Sequence, residues 1–343
     1  MHEPQAPSSA LCFPYLAAAR EVARLAAEGQ CGEAVLISPA PMAPLLNRVH
    51  WPLPVEQPLV SVLIPTRDRA DLLRNCISGL LHRTDYARIE VLVLDNDSAL
   101  PETFELFTEL AAEPRVRIVA TPGPFNFSRI NNLGAAEARG EILLFLNNDI
   151  EVIDSDWLDD LVANALRPDV GAVGARLLYG DRRVQHAGVV LQHGLAMHIF
   201  RTGGEHEPGY DAQMAGTRTY SAVTAACLAV RRTVFERIGG FDQDNLRVAF
   251  QDIDLCLKID ERGYRNLCTP YVPLLHLEGA SRGLAGDPEK IAREHREFRC
   301  LRQRWSDRFA SDPFSHPLVA LDWERRERLV GLHVDVSPLD LAR

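Results

Sequence analysis

The chain has 343 residues, 46% hydrophobic and 24% charged, a composition that belongs to a folded globular protein and excludes a disordered tail or a fibre. Its 47 acidic residues outnumber 37 basic ones, giving a formal charge of -10, so the surface repels phosphate overall and a general nucleic-acid binder is excluded. Any anionic ligand must be held by local chemistry. The 7 cysteines are odd in number and widely spaced, without the close pair of a zinc site or redox dithiol, and read as small core residues in a reducing cytosol. The N-terminus has no leader pattern, and the longest nearly apolar run, 221–230, is well short of the roughly 20 residues a membrane helix needs. The expected location is cytoplasmic, with any membrane association peripheral.

Residues 1–58 predict a small appendage: a helix over 15–28, then a linker studded with Pro39, Pro41, Pro44, Pro52, Pro54 and Pro58. From Val60 onward, short β-rich apolar runs alternate with amphipathic helices, the pattern of an α/β protein with a mainly parallel sheet covered by helices. The first strand carries Val60, Val62, Leu63 and Ile64. Asp68 is placed to cap a helix bearing Leu72, Leu73, Cys76, Ile77, Leu80 and Leu81. Strands follow over 89–94, 116–120 and 141–146. A helix over 130–138 stops before Gly140, and Ser155 is placed to cap a helix bearing Trp157, Leu158, Leu161 and Val162. Beyond Val170 the pattern predicts a strand over 221–232, a helix over 250–262 ended by Gly263, and an amphipathic helix over 288–309.

Ligands of an open parallel sheet collect beyond the carboxyl ends of its strands. Those ends carry Thr66-Arg67-Asp68, Asp95-Asn96-Asp97 and Asn147-Asn148-Asp149, three polar clusters converging on one crevice. The first turn, Pro65-Thr66-Arg67-Asp68-Arg69, is neither a dinucleotide fingerprint nor a P-loop. Without a glycine cradle, a diphosphate in an acidic protein calls for a hard divalent ion held by carboxylate and water. Asp149 is the best placed ligand; its other reading is as a cap of the following turn.

The segments VSVLIPTRDR (60–69), IEVLVLDNDS (89–98), FNFSRINNLGAAEARGEILLFLNNDIEV (125–152), TAACLAVRR (224–232), GGFD (239–242) and AFQDIDLCLKIDERGYRNLCTP (249–270) resemble family 2 glycosyltransferases, in order from about residue 58 to 310. The likeness is greatest to the bacterial branch that serves O-antigen and other surface polysaccharides. It implies a glycosyltransferase-A fold over 59–310, with a nucleotide-binding half (59–150) and an acceptor half (151–310), followed by an extension over 311–343. It also implies inverting transfer of a sugar from a nucleoside diphosphate to a hydroxyl of a glycan or lipid-linked acceptor, with Mg²⁺ or Mn²⁺ as cofactor.

By resemblance Thr66 and Asp95 hold the nucleoside, and Arg67, Asp97 and Asn147 line the same crevice. Asn147-Asn148-Asp149 stands where the family has Asp-x-Asp, so Asp149 matches the metal-binding carboxylate. Gln251-Asp252-Ile253-Asp254 stands where the family has Glu-Asp-x-Asp, so Asp252 matches the base that takes the acceptor's proton. On a helix Asp252 and Asp254 point about 200° apart, so one carboxylate is catalytic and the other structural. His276 reads either as a neutral imidazole ligand near the metal or as a hydrogen-bonded core residue. Arg282 either contacts a phosphate or solvates a loop. Asn131 and Asn132 either orient the donor or are polar residues on a helix whose Ile130 and Leu133 face the core. The segment from Gln185 to Gly188, with His193, His198 and His206, suits an acceptor-side loop and packing, since these histidines lack zinc-ligand spacing. Gln303-Arg304-Trp305 lacks the spacing of the Gln-x-x-Arg-Trp motif of processive synthases, which favours single addition and a core role for Trp305. The neutral residues Asn147 and Gln251 motivate one alternative from another class: a non-catalytic sugar-nucleotide or glycan-binding module of a larger assembly enzyme.

Overall fold

A computed structural model describes residues 13–315, apart from 33, 193, 210–211 and 278–286. Arg282, His193, Cys12 and most of the expected extension lie outside the described residues. The appendage opens with α1 (Phe13–Cys31), longer than expected, and continues as an antiparallel hairpin of β1 (Leu36–Ala40) and β2 (Ala43–His50) where the prolines predicted a linker. A two-stranded ribbon leaves one edge of each strand unpaired, so a proline facing that edge removes no ladder bond; the register slips between Pro39 and Ala40. The segment is docked on the body. The Arg167 guanidinium lies 4.1 Å from the centre of the Trp51 ring, and that of Arg48 lies 4.4 Å from the centre of the Tyr271 ring.

The body begins with β3 (Val60–Thr66), α2 (Ala70–His82), β4 (Ile89–Asp95), α3 (Pro101–Leu110), β5 (Val116–Ala120), α4 (Phe127–Glu137) and β6 (Ile142–Leu146). These strands pair in parallel in the order β5-β4-β3-β6. Alternation divides their side chains between two cores: Val60, Val62 and Ile64 join Trp157 on one face, and Leu63 joins Phe145, Phe235 and Phe241 on the other. A Cβ on Gly140 would stand 2.6 Å from Leu59 O and Ser61 N, so only glycine lets the chain between α4 and β6 pass this close to the start of β3.

The rest of the sheet is mixed. β7 (Ile150–Val152), α5 (Trp157–Ala165), β8 (Val170–Leu178), β9 (Val184–His186), β10 (Val189–Gln192), β11 (Leu195–His198), β12 (Arg218–Tyr220) and β13 (Cys227–Arg231) come first. They are followed by α6 (Arg232–Arg237), α7 (Gln251–Glu261), β14 (Arg265–His276), α8 (Pro288–Arg304) and α9 (Ser306–Ala310). The full order is β12-β14-β8-β13-β6-β3-β4-β5, with β13 antiparallel to both neighbours. The strand expected over 221–232 is therefore only its second half. The long C-terminal helix breaks at Trp305, and Asp312, just past the expected boundary at 310, is buried and accepts from Ser221 Oγ at 2.7 Å. Two expected caps also differ. Arg69 and Asp156 are the N-cap residues of α2 and α5, both without a side-chain cap bond, while Ser155 Oγ donates to Asp85 Oδ2 at 2.5 Å. No helix among the described residues is long and apolar enough to cross a membrane.

Candidate active site

Because β13 opposes both β6 and β8, and β14 runs parallel to β8, the carboxyl ends of β3, β4, β6, β8 and β14 lie along one edge of the sheet. That edge gathers Thr66, Asp95, Asn147-Asn148-Asp149 and His276. Thr66 is buried; its Oγ1 accepts from Asn148 Nδ2 at 3.0 Å and donates to Asp68 O at 3.2 Å, tying the ends of β3 and β6 together. Half-buried Asp95 accepts from Ser98 N at 3.1 Å, and exposed Asp97 accepts from Gly123 N at 2.8 Å. Arg67 is exposed and has no ion pair among the described residues.

Asp68 does not cap α2. Its Oδ1 accepts from Ala99 N at 2.8 Å and Leu100 N at 2.9 Å, and its own N–H donates to Ser98 Oγ at 2.8 Å. Asp68, Arg69 and Asp97 have φ of 56°, 53° and 59°, a left-handed conformation that non-glycine residues hold only when the surroundings fix it. These bonds fix the turns after β3 and β4 in one shape.

Between the start of β7 and the end of β14, Asp149 and His276 are both buried, with Asp149 Oδ1 3.2 Å from His276 Nε2. The other ring nitrogen, Nδ1, lies 2.5 Å from Gln185 Oε1, which can only accept, so Nδ1 carries a proton. In the neutral imidazole Nε2 is then a lone pair, and Asn147 Nδ2 donates to it at 3.1 Å. Asp149 Oδ1 is buried with no hydrogen-bond donor. In that tautomer Nε2 gives Asp149 Oδ1 no proton, and a cation that displaces the Asn147 amide from the Nε2 lone pair can be held by both side chains. The pair therefore fits a divalent ion. No group of three or more His, Cys, Asp or Glu side chains able to hold a metal occurs among the described residues, so diphosphate and water oxygens would complete the shell.

Asp252 sits in the first turn of α7, half-buried, with Oδ2 accepting from Ala225 N at 3.1 Å and Oδ1 from Ile253 N at 3.0 Å. Its turn is fixed from behind. Phe250 has φ 61°, and Glu297 of α8 accepts from Val248 N at 3.2 Å and Ala249 N at 2.6 Å. Asp254 is fully buried and accepts from Arg304 Nη1 at 2.8 Å and Trp305 Nε1 at 2.9 Å, with Lys258 Nζ 3.3 Å away. Arg304 also donates to Asp242 Oδ2 at 2.6 Å. Asp254 thus clamps α7 to α8 and the 239–245 turn, and Trp305 is a core residue that closes the clamp.

Asn131 and Asn132 both carry hydrogen bonds within the protein. Asn131 is fully buried and donates to Phe127 O at 2.9 Å within α4. Asn132 donates to Phe241 O at 2.9 Å and accepts from Phe241 N at 3.0 Å. Both ends of its amide hold the 239–243 turn. His186 is fully buried, and burial pushes its pKa well below the usual value, with His198 and His276 adding to the effect. Its Nε2 accepts from Thr224 N at 3.4 Å, so Nδ1–H points to His198 Nδ1 at 3.0 Å, a pairing of neutral rings. Gln185, Asn148 and Asp68 are the site residues that sequence reasoning gave no such roles. The strand-end position of Asn148 was a usable signal; nothing local connects Gln185 to His276.

A profile of the glycosyl transferase family 2 matches residues 61–239, just over half of the chain. The chain is 44% identical over 291 residues to the uncharacterized protein y4gI of Sinorhizobium fredii, covering 84% of this chain and 32% of that protein. It is 44% identical over 269 residues to the O-antigen biosynthesis protein RfbC of Myxococcus xanthus, covering 77% and 20% respectively. The chain thus spans about a third and a fifth of these relatives' lengths. Among solved structures it resembles GalNAc-T7 with UDP, GalNAc and Mn²⁺ (TM-score 0.60, 17% identity, 74% of this chain and 50% of that one). It also resembles the mannosyltransferase PcManGT of Pyrobaculum calidifontis in complex with GDP-Man and Mn²⁺ (TM-score 0.53, 20% identity, 84% and 74%). At these identities the likeness establishes the glycosyltransferase-A fold, and the profile match over more than half of its length places the chain in glycosyl transferase family 2.

Proposed function

We propose that this chain is the catalytic unit of an inverting glycosyltransferase that moves a sugar from a nucleoside diphosphate to a hydroxyl of a glycan or lipid-linked acceptor in surface-polysaccharide assembly. The observation that carries the proposal is the paired geometry of one crevice edge: Asp149 and His276 poised as cation ligands, and Asp252 fixed by two backbone N–H groups on a clamped helix. The identity to an O-antigen biosynthesis protein supports the setting, and neighbours solved with Mn²⁺ and nucleotides support the donor class.

Thr66, Arg67, Asp95 and Asp97 cradle the nucleoside end of the donor, with the ends of β3 and β4 held rigid by the bonds around Asp68. Asp149 and His276 would hold Mg²⁺ or Mn²⁺, which would supply positive charge against that developing on the leaving diphosphate, with Asn147 on the donor side. The acceptor oxygen attacks the anomeric carbon, the bond from that carbon to the diphosphate oxygen breaks, and the hydroxyl proton passes to a carboxylate oxygen of Asp252. The nucleotide-binding half is 59–150 and the acceptor half 151–310, with 1–58 as an appended docking piece. Thermal unfolding with UDP-, GDP- and dTDP-sugars in Mn²⁺, paired with nucleoside diphosphate release, tests the proposal. One nucleotide class raises Tm and is turned over; turnover of none of them contradicts it, and stabilisation without turnover favours a binding module.

A further inference from the structure

The Gln185-His186 dipeptide forms the last two residues of β9, where alternation sends the two side chains to opposite faces. His186 reaches the loop before β13, where Thr224 N–H donates to it, and the next N–H, that of Ala225, holds Asp252. Gln185 is 5% exposed and reaches the other way, to His276. Two neighbours of β8 bring the pair together: Leu177 pairs with His186 on one side and Leu274 on the other.

We propose that Gln185 is a positioning residue that locks His276 in the tautomer able to take a metal ion. The inference rests on the metal reading of Asp149 and His276. Its physical content is a competition between two hydrogen-bond arrangements. With Nδ1–H donated to Gln185 Oε1 at 2.5 Å, the neutral ring keeps a lone pair on Nε2, which accepts from Asn147 Nδ2 at 3.1 Å when no ion is bound and lies 3.2 Å from Asp149 Oδ1. Move the proton to Nε2 and it donates straight to Asp149, satisfying that buried, otherwise donor-less oxygen and closing the cation position with a hydrogen bond. Gln185 holds the first arrangement because its carbonyl oxygen has no proton to give. Its amide nitrogen, 3.5 Å from His276 O, faces the backbone of the same residue and sets which end of the amide meets the ring. Outer partners of metal-bound histidines typically govern metal affinity by about 10–100-fold. The cation–ligand geometry at the crevice is therefore set from a residue 91 positions away in sequence that touches neither metal nor donor.

The test uses the full chain, Mn²⁺ alone as the probe followed by electron paramagnetic resonance, and ¹⁵N NMR of the His276 ring for its tautomer. Gln185→Leu is expected to weaken Mn²⁺ binding about 10–100-fold and to move the ring proton to Nε2. Gln185→Glu, whose carboxylate still accepts from Nδ1, retains binding within about threefold of wild type; rescue by a buried charge is not the behaviour of a merely structural glutamine. If thermal unfolding shows Gln185→Leu to be unfolded, Gln185→Met, apolar and similar in length, takes its place. Leu or Met variants that bind Mn²⁺ like wild type while Asp149→Asn loses it overturn the role of Gln185 and leave the metal centre standing. Wild-type binding by Asp149→Asn overturns the metal reading and this inference with it.

Discussion

Asp149 Oδ1 faces His276 Nε2 at 3.2 Å, where the start of β7 pairs with the end of β14. In the proposed reading Nε2 carries no proton, and the two groups take a cation between them. Removing divalent ions with EDTA is therefore expected to abolish stabilisation by the donor nucleotide. In saturating Mn²⁺, at about a hundred times Kd, that stabilisation is worth about 2.7 kcal/mol. Asp149→Asn is expected to behave in Mn²⁺ as wild type behaves in EDTA, read as the Tm shift on adding nucleoside diphosphate.

Arg304 bridges Asp254 and Asp242, so Arg304→Met leaves a fully buried carboxylate with only Trp305 and Lys258 for partners. Hydrogen bonds to charged groups contribute about 1.5–3 kcal/mol, and a loss of about 2–3 kcal/mol is expected from urea unfolding. The same variant loosens the helix that presents Asp252 and is expected to lower kcat more than it changes donor affinity.

The pH dependence of the clamp has a definite sign. Burial by itself would raise the pKa of Asp242, but the Asn245 N–H and the Arg304 guanidinium outweigh it and hold the carboxyl at about 2. A folded pKa below the unfolded value of about 3.9 means stability that is complete above pH 4 and lost as pH falls toward 2. Wild type is expected to exceed Asp242→Asn in stability at pH 7 and the two to converge only as pH falls to about 2 and below, measured by urea unfolding across that range.

Gly140→Ala would put a Cβ 2.6 Å from the backbone of Leu59 and Ser61, atoms that cannot rotate away. The expected cost is about 1–3 kcal/mol in chemical denaturation, with the start of β3 displaced.

How much was legible follows from where each signal resides. β3, β4 and β6 are buried on both faces, so each reads as a continuous apolar run in the sequence. β14 was hidden by Pro270 and Pro273, which fall where its register against β8 shifts between Thr269 and Leu274. The hairpin of β1 and β2 was hidden in the same way by prolines that a two-stranded ribbon tolerates. The placement of Thr66, Asp95 and Asp149 along one edge of the sheet was readable because each ends or closely follows a parallel strand. The partners that aim them were not: Gln185 meets His276 across 91 residues and Asp254 meets Arg304 across 50, contacts set by sheet register and helix docking. The bonds of Asn132 to the 239–243 turn, 109 residues away, were equally invisible in the sequence.

The central claim is that Asp252 takes the acceptor's proton in a metal-assisted sugar transfer, and Asp252→Asn tests it most directly, since the amide keeps the carboxamide oxygen that accepts from Ala225 N. Steady-state transfer with the donor that stabilises the protein in Mn²⁺ should fall about 10²–10⁴-fold in kcat, with Mn²⁺ and donor affinity unchanged. Transfer by Asp252→Asn at the wild-type rate would contradict the account.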